Sequence, residues 1–208
     1  MIKSIGKHKV QHANVMNGID KLMEGQLAQI VYSDPPWGQG NLSYWQTMNN
    51  KMTGAEKEHV DYNNFLNQIF SIAYKYSKDI VFIEYGIQWE KDIIELGTKH
   101  GLKHIGLAHP IYRSGSRMLP LHLHIFAKSN VQLPNGYLDS IKDTYGLETL
   151  KRAIKPFVKE GEIILDPCCG MGYCAQMAID NNMVFRGNEL NEKRLSKTIN
   201  RLEKDAKK

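Results

Sequence analysis

Apolar residues along this chain fall into two kinds of run, short compact ones and longer ones at helical spacing. Gln29 to Ser33 and Asp79 to Tyr85 are compact, the second carrying Ile80-Val81-Phe82-Ile83, as expected for strands buried on both faces. Asp61 to Tyr76 sets Phe65, Leu66, Ile69, Phe70, Ile72 and Ala73 at helical spacing, with Asp61 suited to the N-cap. Trp89 to His100 reads as a helix with Ile93, Ile94 and Leu96 inward and Gly101 at its C-cap. A strand is predicted from His8 to near Asn14, then a helical turn over 18–23. His104 to Ile111 and Leu121 to Lys128 read as strands joined by a loop, Tyr112 to Pro120. His122 and His124 are two apart and share one side of their strand, which is expected to be an exposed face rather than a metal site. Leu147 to Val158 reads as a helix, Glu162 to Leu165 as a strand, Tyr173 to Asp180 as a helix. Val184 to Arg186 is a further strand and Glu192 to Lys204 the last helix. Gly38 to Gly54 is polar and is expected to be a mobile loop; Val131 to Gly136 reads as a turn. Strands alternating with helices at this pitch predict an α/β fold with a doubly wound, mostly parallel sheet.

Composition narrows this without changing it. A chain of 208 residues suits one domain, 1–208, with a full core. Its net charge of +5 is compatible with a polyanionic partner but does not establish one. No apolar run is long enough to span a membrane, and the N-terminus lacks a signal-peptide core. Cys168, Cys169 and Cys174 are odd in number, without a Cys-x-x-Cys pair or histidines at zinc-ligand spacing. They read as reduced thiols packed around a turn in a cytoplasmic, intracellular protein, and no metal site is expected.

Two stretches carry chemistry. Tyr32-Ser33-Asp34-Pro35-Pro36-Trp37 ends an apolar strand with an acid, two prolines and an aromatic. Both prolines fix φ and lack an N–H, and each pushes its predecessor toward extended geometry. The result is a stiff arm presenting a carboxylate, backbone carbonyls and a flat ring. By itself this accounts equally well for a strand end with a solvated Asp34 and a packed Trp37. The second stretch is Asp166-Pro167-Cys168-Cys169-Gly170-Met171-Gly172, between a strand and a helix. Glycines there allow close backbone approach to a ligand. Glu189, at the end of the next strand, is placed as an acid that binds ribose hydroxyls.

Together, and in this order, the two motifs resemble S-adenosylmethionine-dependent amino-methyltransferases of nucleobases, in particular the circularly permuted beta group of DNA adenine-N6 methyltransferases. The resemblance covers most of the chain. It implies a Rossmann-like class I methyltransferase fold of seven strands in permuted order, with a catalytic half at about 1–130 and a cofactor-motif half at about 145–208. It implies S-adenosyl-L-methionine as cofactor and a prokaryotic or phage-type enzyme. Residue by residue, Asp34 and the Pro35 carbonyl would accept from the target amino group, with Pro36 in the arm and Trp37 stacking on the base. Asp166, Pro167, Cys168, Gly170 and Gly172 would line the methionine end, and Glu189 would hold the ribose. Asn14 stands where the family often has Asp near the cofactor adenine. Tyr145-Gly146 lies near the position of a family Lys-Pro, and that contact is not carried over.

The residues suit this chemistry without the family name. An exocyclic amine is a poor nucleophile because its lone pair is delocalised into the ring. Two acceptors gripping its hydrogens favour a pyramidal nitrogen with the lone pair aimed at the methyl group, so positioning dominates the rate. A base in a duplex must first be flipped, costing a few kcal/mol, and stacking on Trp37 returns roughly 1–3 kcal/mol. The interval Ser129 to Gly146, eighteen residues, cannot hold a separate recognition domain. Recognition is left to the 38–57 loop with Tyr44 and Trp45, to Arg113 and Arg117, to a short target sequence, to a homodimer or second recognition subunit, or to a single-stranded substrate. The two arginines contact phosphate or are simply solvated. DNA is expected as the partner, with RNA adenine as the alternative. A non-catalytic, nucleic-acid-binding subunit is the alternative outside the enzyme class. No membrane partner is expected.

Overall fold

The computed structural model describes residues 1–53 and 60–206. In chain order the elements are β1 (Ile2–Ile5), β2 (His8–His12), α1 (Asp20–Met23), β3 (Ala28–Ser33), α2 (Gly38–Thr53), α3 (Tyr62–Tyr76), β4 (Ser77–Tyr85), α4 (Glu90–Lys99) and β5 (Lys103–Ala108). There follow β6 (Ile111–Ser114), β7 (Arg117–Pro120), β8 (His122–Ala127), α5 (Tyr137–Ile141), α6 (Leu147–Ile154), β9 (Ile163–Asp166), α7 (Tyr173–Asp180), β10 (Val184–Glu189) and α8 (Glu192–Asp205).

The sheet order is β1-β2-β10-β9-β3-β4-β8-β5. The run β2-β10-β9-β3-β4 is parallel, β1 pairs antiparallel with β2, and β8 pairs antiparallel with both β4 and β5. The sheet is mostly parallel, as expected, but has eight strands where seven were expected. The added strand is β1, which folds back at Gly6 so that Ile5 faces His8. Three of its four residues are exposed, so no apolar pattern announces it.

Each face of the sheet has its own core. Ile30, Phe82, Ile125, Ile164 and Phe185 point one way, onto Leu150 and Ile154 of α6, Ala175 and Ala178 of α7, and Leu195 and Leu202 of α8. Val31, Val81, Ile83 and Leu165 point the other way, onto Leu66, Ile69, Phe70 and Ala73 of α3 and Ile93 of α4. The alternation along β3 and β4 follows the period of two of a strand. Asp61 caps α3 as expected, accepting from Asn64 N at 2.8 Å.

Four expectations are corrected. The stretch expected to be a mobile loop forms α2 over Gly38–Thr53; Gly54 and the rest of 54–59 lie outside the described residues. Its inward face carries Gln46 and Asn49, both buried, so apolar periodicity is muted. The loop holding Arg113 and Arg117 is a two-stranded ribbon, β6–β7, with Arg113 opposite Met118. His122 and His124 share a face, but that face is buried, because α4 covers it. There Gly97 packs so tightly on Phe126 that a Cβ would stand 2.2 Å from its ring. Finally, α6 stops at Ile154 and passes into a 3-10 turn over Lys155–Phe157, since Pro156 cannot continue the helical hydrogen bonding.

Candidate active site

The arm is shaped by what precedes and braces it. β3 is buried along its whole length, with Val31 opposite both Val81 of β4 and Leu165 of β9. Beyond Ser33 the prolines cannot donate to the ladder, and the chain leaves the sheet. The Tyr85 hydroxyl holds the bend, donating to the Pro36 carbonyl at 3.4 Å and accepting from Gly38 N at 3.3 Å. Gly38 has φ +73°, and a Cβ there would lie 2.8 Å from the Trp89 ring. The Pro35 carbonyl accepts no hydrogen bond among the described residues. Trp37 donates its indole N–H to Asp34 Oδ1 at 3.1 Å and meets Tyr112 edge-on at 4.9 Å. Acceptors and ring are thus held side by side.

The second motif is tied to the end of the neighbouring strand. Cys169 N donates to the Asn188 carbonyl at 2.9 Å, and Asn188 Nδ2 donates to the Pro167 carbonyl at 3.2 Å. Gly170 N donates to Glu189 Oε2 at 2.8 Å and Asn191 N to Glu189 Oε1 at 2.7 Å. Each carboxylate oxygen holds one backbone N–H and keeps a second lone pair. Gly172, at φ +82°, serves packing: a Cβ would stand 2.7 Å from Thr198 Oγ1 of α8. All three cysteines are free, Cys169 and Cys174 buried and Cys168 half-buried, and burial pushes each thiol well above its ordinary range.

Because β9 and β3 are neighbours whose following chains leave in opposite directions, both motifs open onto one crevice at the carboxyl edge, the usual ligand position in such folds. The cleft there has a volume of about 900 Å³. Asn14, Asp34, Pro35, Pro36, Trp37, Trp45, Arg113, Pro167, Cys168 and Glu189 all line it. A chamber of about 210 Å³ opens from the other side of Asp34, bounded by Glu84, Asp166 and Tyr145-Gly146. Gly170 and Gly172 line neither cavity, Arg117 lies on exposed β7, and Tyr44 is exposed beside Trp45, ring to ring at 5.1 Å. Among the described residues there is no cluster able to hold a metal and no helix long and apolar enough to cross a membrane.

The carboxyls around the chamber are all pushed toward their neutral forms. Burial raises Asp166 to about 7, against the pull of hydrogen bonds from Cys174 and from Cys168 N. Burial, then the charge of Asp34, raises Glu84, which accepts from the Tyr32 hydroxyl. Asp34 is accessible through the mouth of the cleft but recessed among protein atoms. That desolvation raises it, while the Trp37 N–H and the charge of Arg194 pull it back. Acids crowded into a low-dielectric recess favour a ligand that brings positive charge.

Sequence reasoning missed Glu84, Tyr112, Arg194 and the amide face of α2. Asn41, Trp45 and Asn49 recur four apart and line the cleft or its wall together with Gln46 and Asn50. That spacing is visible in the sequence once the stretch is taken as a helix. Glu84 is the polar residue at the end of an apolar strand, and nothing local says what it faces.

No family model matches the chain, and no curated protein matches it. Solved structures do. A candidate DNA modification methylase from Thermus thermophilus superposes with a TM-score of 0.70 at 14% identity, covering 96% of each chain. M1.HpyAVI in complex with S-adenosylmethionine gives 0.67 at 12%, over 93% of this chain and 98% of that one. The PvuII DNA methyltransferase, cytosine-N4-specific, gives 0.65 at 9%, over 96% and 90%. The chain shares the fold of these three structures.

Proposed function

We propose that this protein transfers a methyl group from S-adenosyl-L-methionine to the exocyclic N6 amine of adenine in DNA. The observation that carries the reading is the meeting, in one cleft, of an arm whose Asp34 and Pro35 carbonyl keep acceptor capacity and a turn that orients an acid for a ribose. The residues suit the cofactor. Glu189 keeps lone pairs for two hydroxyls, Asn14 and Leu190 line the same end, and the chamber acids complement a cationic methionine end. The bound cofactor supplies an electrophilic methyl group on a sulfonium. The chain supplies the rest: Asp34 and the Pro35 carbonyl accept from the two amine hydrogens, and Trp37 stacks on the flipped base. Asp34 is free to take the proton that the methylated amine releases.

The preference for adenine rests on Asp at the first arm position, where relatives acting on cytosine N4 more often have Ser. The segment Ser129 to Gly146 holds only α5 and its flanking turns. Target choice therefore falls to α2, the β6–β7 ribbon, or a second subunit. The test is incubation with labelled cofactor and separate DNA, RNA and mock pools, followed by identification of the modified nucleoside. N6-methyladenine in DNA is expected. N4-methylcytosine would reassign the base and label in RNA the polymer. Cofactor binding without any transfer would favour a non-catalytic subunit, and no cofactor binding at all would sink the enzyme reading.

A further inference from the structure

Arg194 belongs to the cleft, yet neither motif accounts for it. It stands in the first turn of α8, where the helix N-terminus favours acids and disfavours a cation. Its guanidinium forms no hydrogen bond or ion pair among the described residues. It is half-buried, lies in the cleft wall, and sits 3.7 Å from the centre of the Trp45 ring. Nη1 is 3.9 Å from where a Cβ on Gly170 would stand. The group is therefore lodged between the glycine turn and α2.

A guanidinium that lies over an indole and makes no hydrogen bond among the described residues keeps its N–H donors free. Those donors form a planar fork matched to carboxylate or phosphate. The helix that carries the indole is tied to the start of α8, where Asn191 Nδ2 donates to Asn49 Oδ1 at 2.6 Å. Indole and guanidinium are thus in contact before any ligand arrives, while the donors stay uncommitted.

We propose that Arg194, braced on Trp45, is the oxyanion receptor of this cleft. It takes either the carboxylate at the amino-acid end of the cofactor or a phosphate of the bound nucleic acid strand. This rests on the methyl-transfer reading. It also assigns α2 a task in the site: carrying the aromatic platform on which the receptor lies.

The test compares Arg194→Gln and Arg194→Lys with wild type in three measurements. These are affinity for S-adenosylmethionine, affinity for 5′-methylthioadenosine (which lacks the amino-acid end), and the salt slope of oligonucleotide binding. If the carboxylate is the ligand, Arg194→Gln weakens S-adenosylmethionine about 10–100-fold, as for a lost hydrogen bond to a charged group, and leaves methylthioadenosine within about twofold. If phosphate is the ligand, S-adenosylmethionine binding is unchanged and the salt slope falls by about 1. Arg194→Lys keeps the charge without the fork and falls between in either case; it also serves as the comparison should Arg194→Gln fold poorly. No change in any of the three measurements overturns the receptor. So does equal weakening of both nucleosides at unchanged slope, which marks a packing role and leaves the enzyme reading standing. Wild-type protein that binds neither cofactor nor oligonucleotide overturns both readings.

Discussion

Asp34, Glu84 and Asp166 surround a chamber at the carboxyl edge of the sheet, while the rings of His104, His122 and His124 meet tilted or edge-on between β5, β8 and α4. In both places burial drives titratable groups toward neutrality, raising the acids and lowering the imidazoles. Neither cavity touches the histidines. Among the described residues, both ring nitrogens of His124 are buried without a hydrogen-bond partner, and Nδ1 of His122 lies 3.5 Å from Glu90. The acids hold hydrogen bonds and face open space. A displaced pKa is therefore common to a packed strand face and to an open cleft; access for a ligand separates them.

The contrast predicts opposite consequences for the same kind of change. On the proposed reading, Asp34→Ala removes an acceptor for the hydrogens of the target amine. Methyl transfer is expected to fall by about 10²–10³-fold or more, with cofactor affinity within a few-fold by calorimetry; equal loss of both would place Asp34 on the cofactor side. Asp166→Asn should show the tension between site and stability. A carboxyl raised to about 7 contributes its stability below the ordinary carboxylate pKa and loses it as pH rises through 7. The variant should therefore be more stable than wild type at pH 8, by up to about 4 kcal/mol, with no gain at pH 4, and should bind cofactor more weakly.

Trp37→Ala should lose roughly 1–3 kcal/mol of base stacking, read as a rise in the KM for nucleic acid with cofactor affinity nearly unchanged. On the sealed side the sign reverses. His124 is lowered to about 3 by burial and then by His104 and His122. Its contribution is intact above 6.5 and is lost as pH falls toward the folded value. His124→Leu, close in volume, should remove about 2 kcal/mol of the stability lost between pH 6.5 and 5 in denaturant melts, and leave methyl transfer at neutral pH unaltered. A fall in activity would show that this face communicates with the site. The smallest effect is expected from Arg113→Gln with Arg117→Gln, a drop of about 1 in salt slope for each arginine that meets a phosphate. Arg113 lines the cleft and Arg117 does not, so Arg113 should account for more of it.

Much of this could be read along the chain. The compact runs of β3 and β4 and the spaced apolar residues of α3 state their own geometry, because a strand buried on both faces needs continuous apolar residues and a helix facing a core needs them every three or four. The arm and the glycine turn are equally local, since proline and glycine act on their own φ. Where a face meets something other than an apolar core, the pattern fails. The inward side of α2 meets a polar cleft, so its amides look like a loop. The face of β8 carrying His122 and His124 looks exposed because imidazoles alternate with aliphatics, and only the arrival of α4 buries it. β1 is an exposed edge with one buried residue and leaves almost no trace.

The sequence by itself determined the doubly wound alternation of strands and helices, the stiff Asp34–Trp37 arm and the turn from Asp166 to Gly172, since each follows from the backbone preferences of adjacent residues. Tertiary structure decided what those pieces face. The register of β3 against β9 brings two motifs more than a hundred residues apart to one edge. The end of β4 adds Glu84 to the chamber, and the packing of α2 against α8 lays Arg194 on Trp45. Burial, access and the charge felt by a side chain depend on distant strands arriving at one place, which a local pattern does not encode.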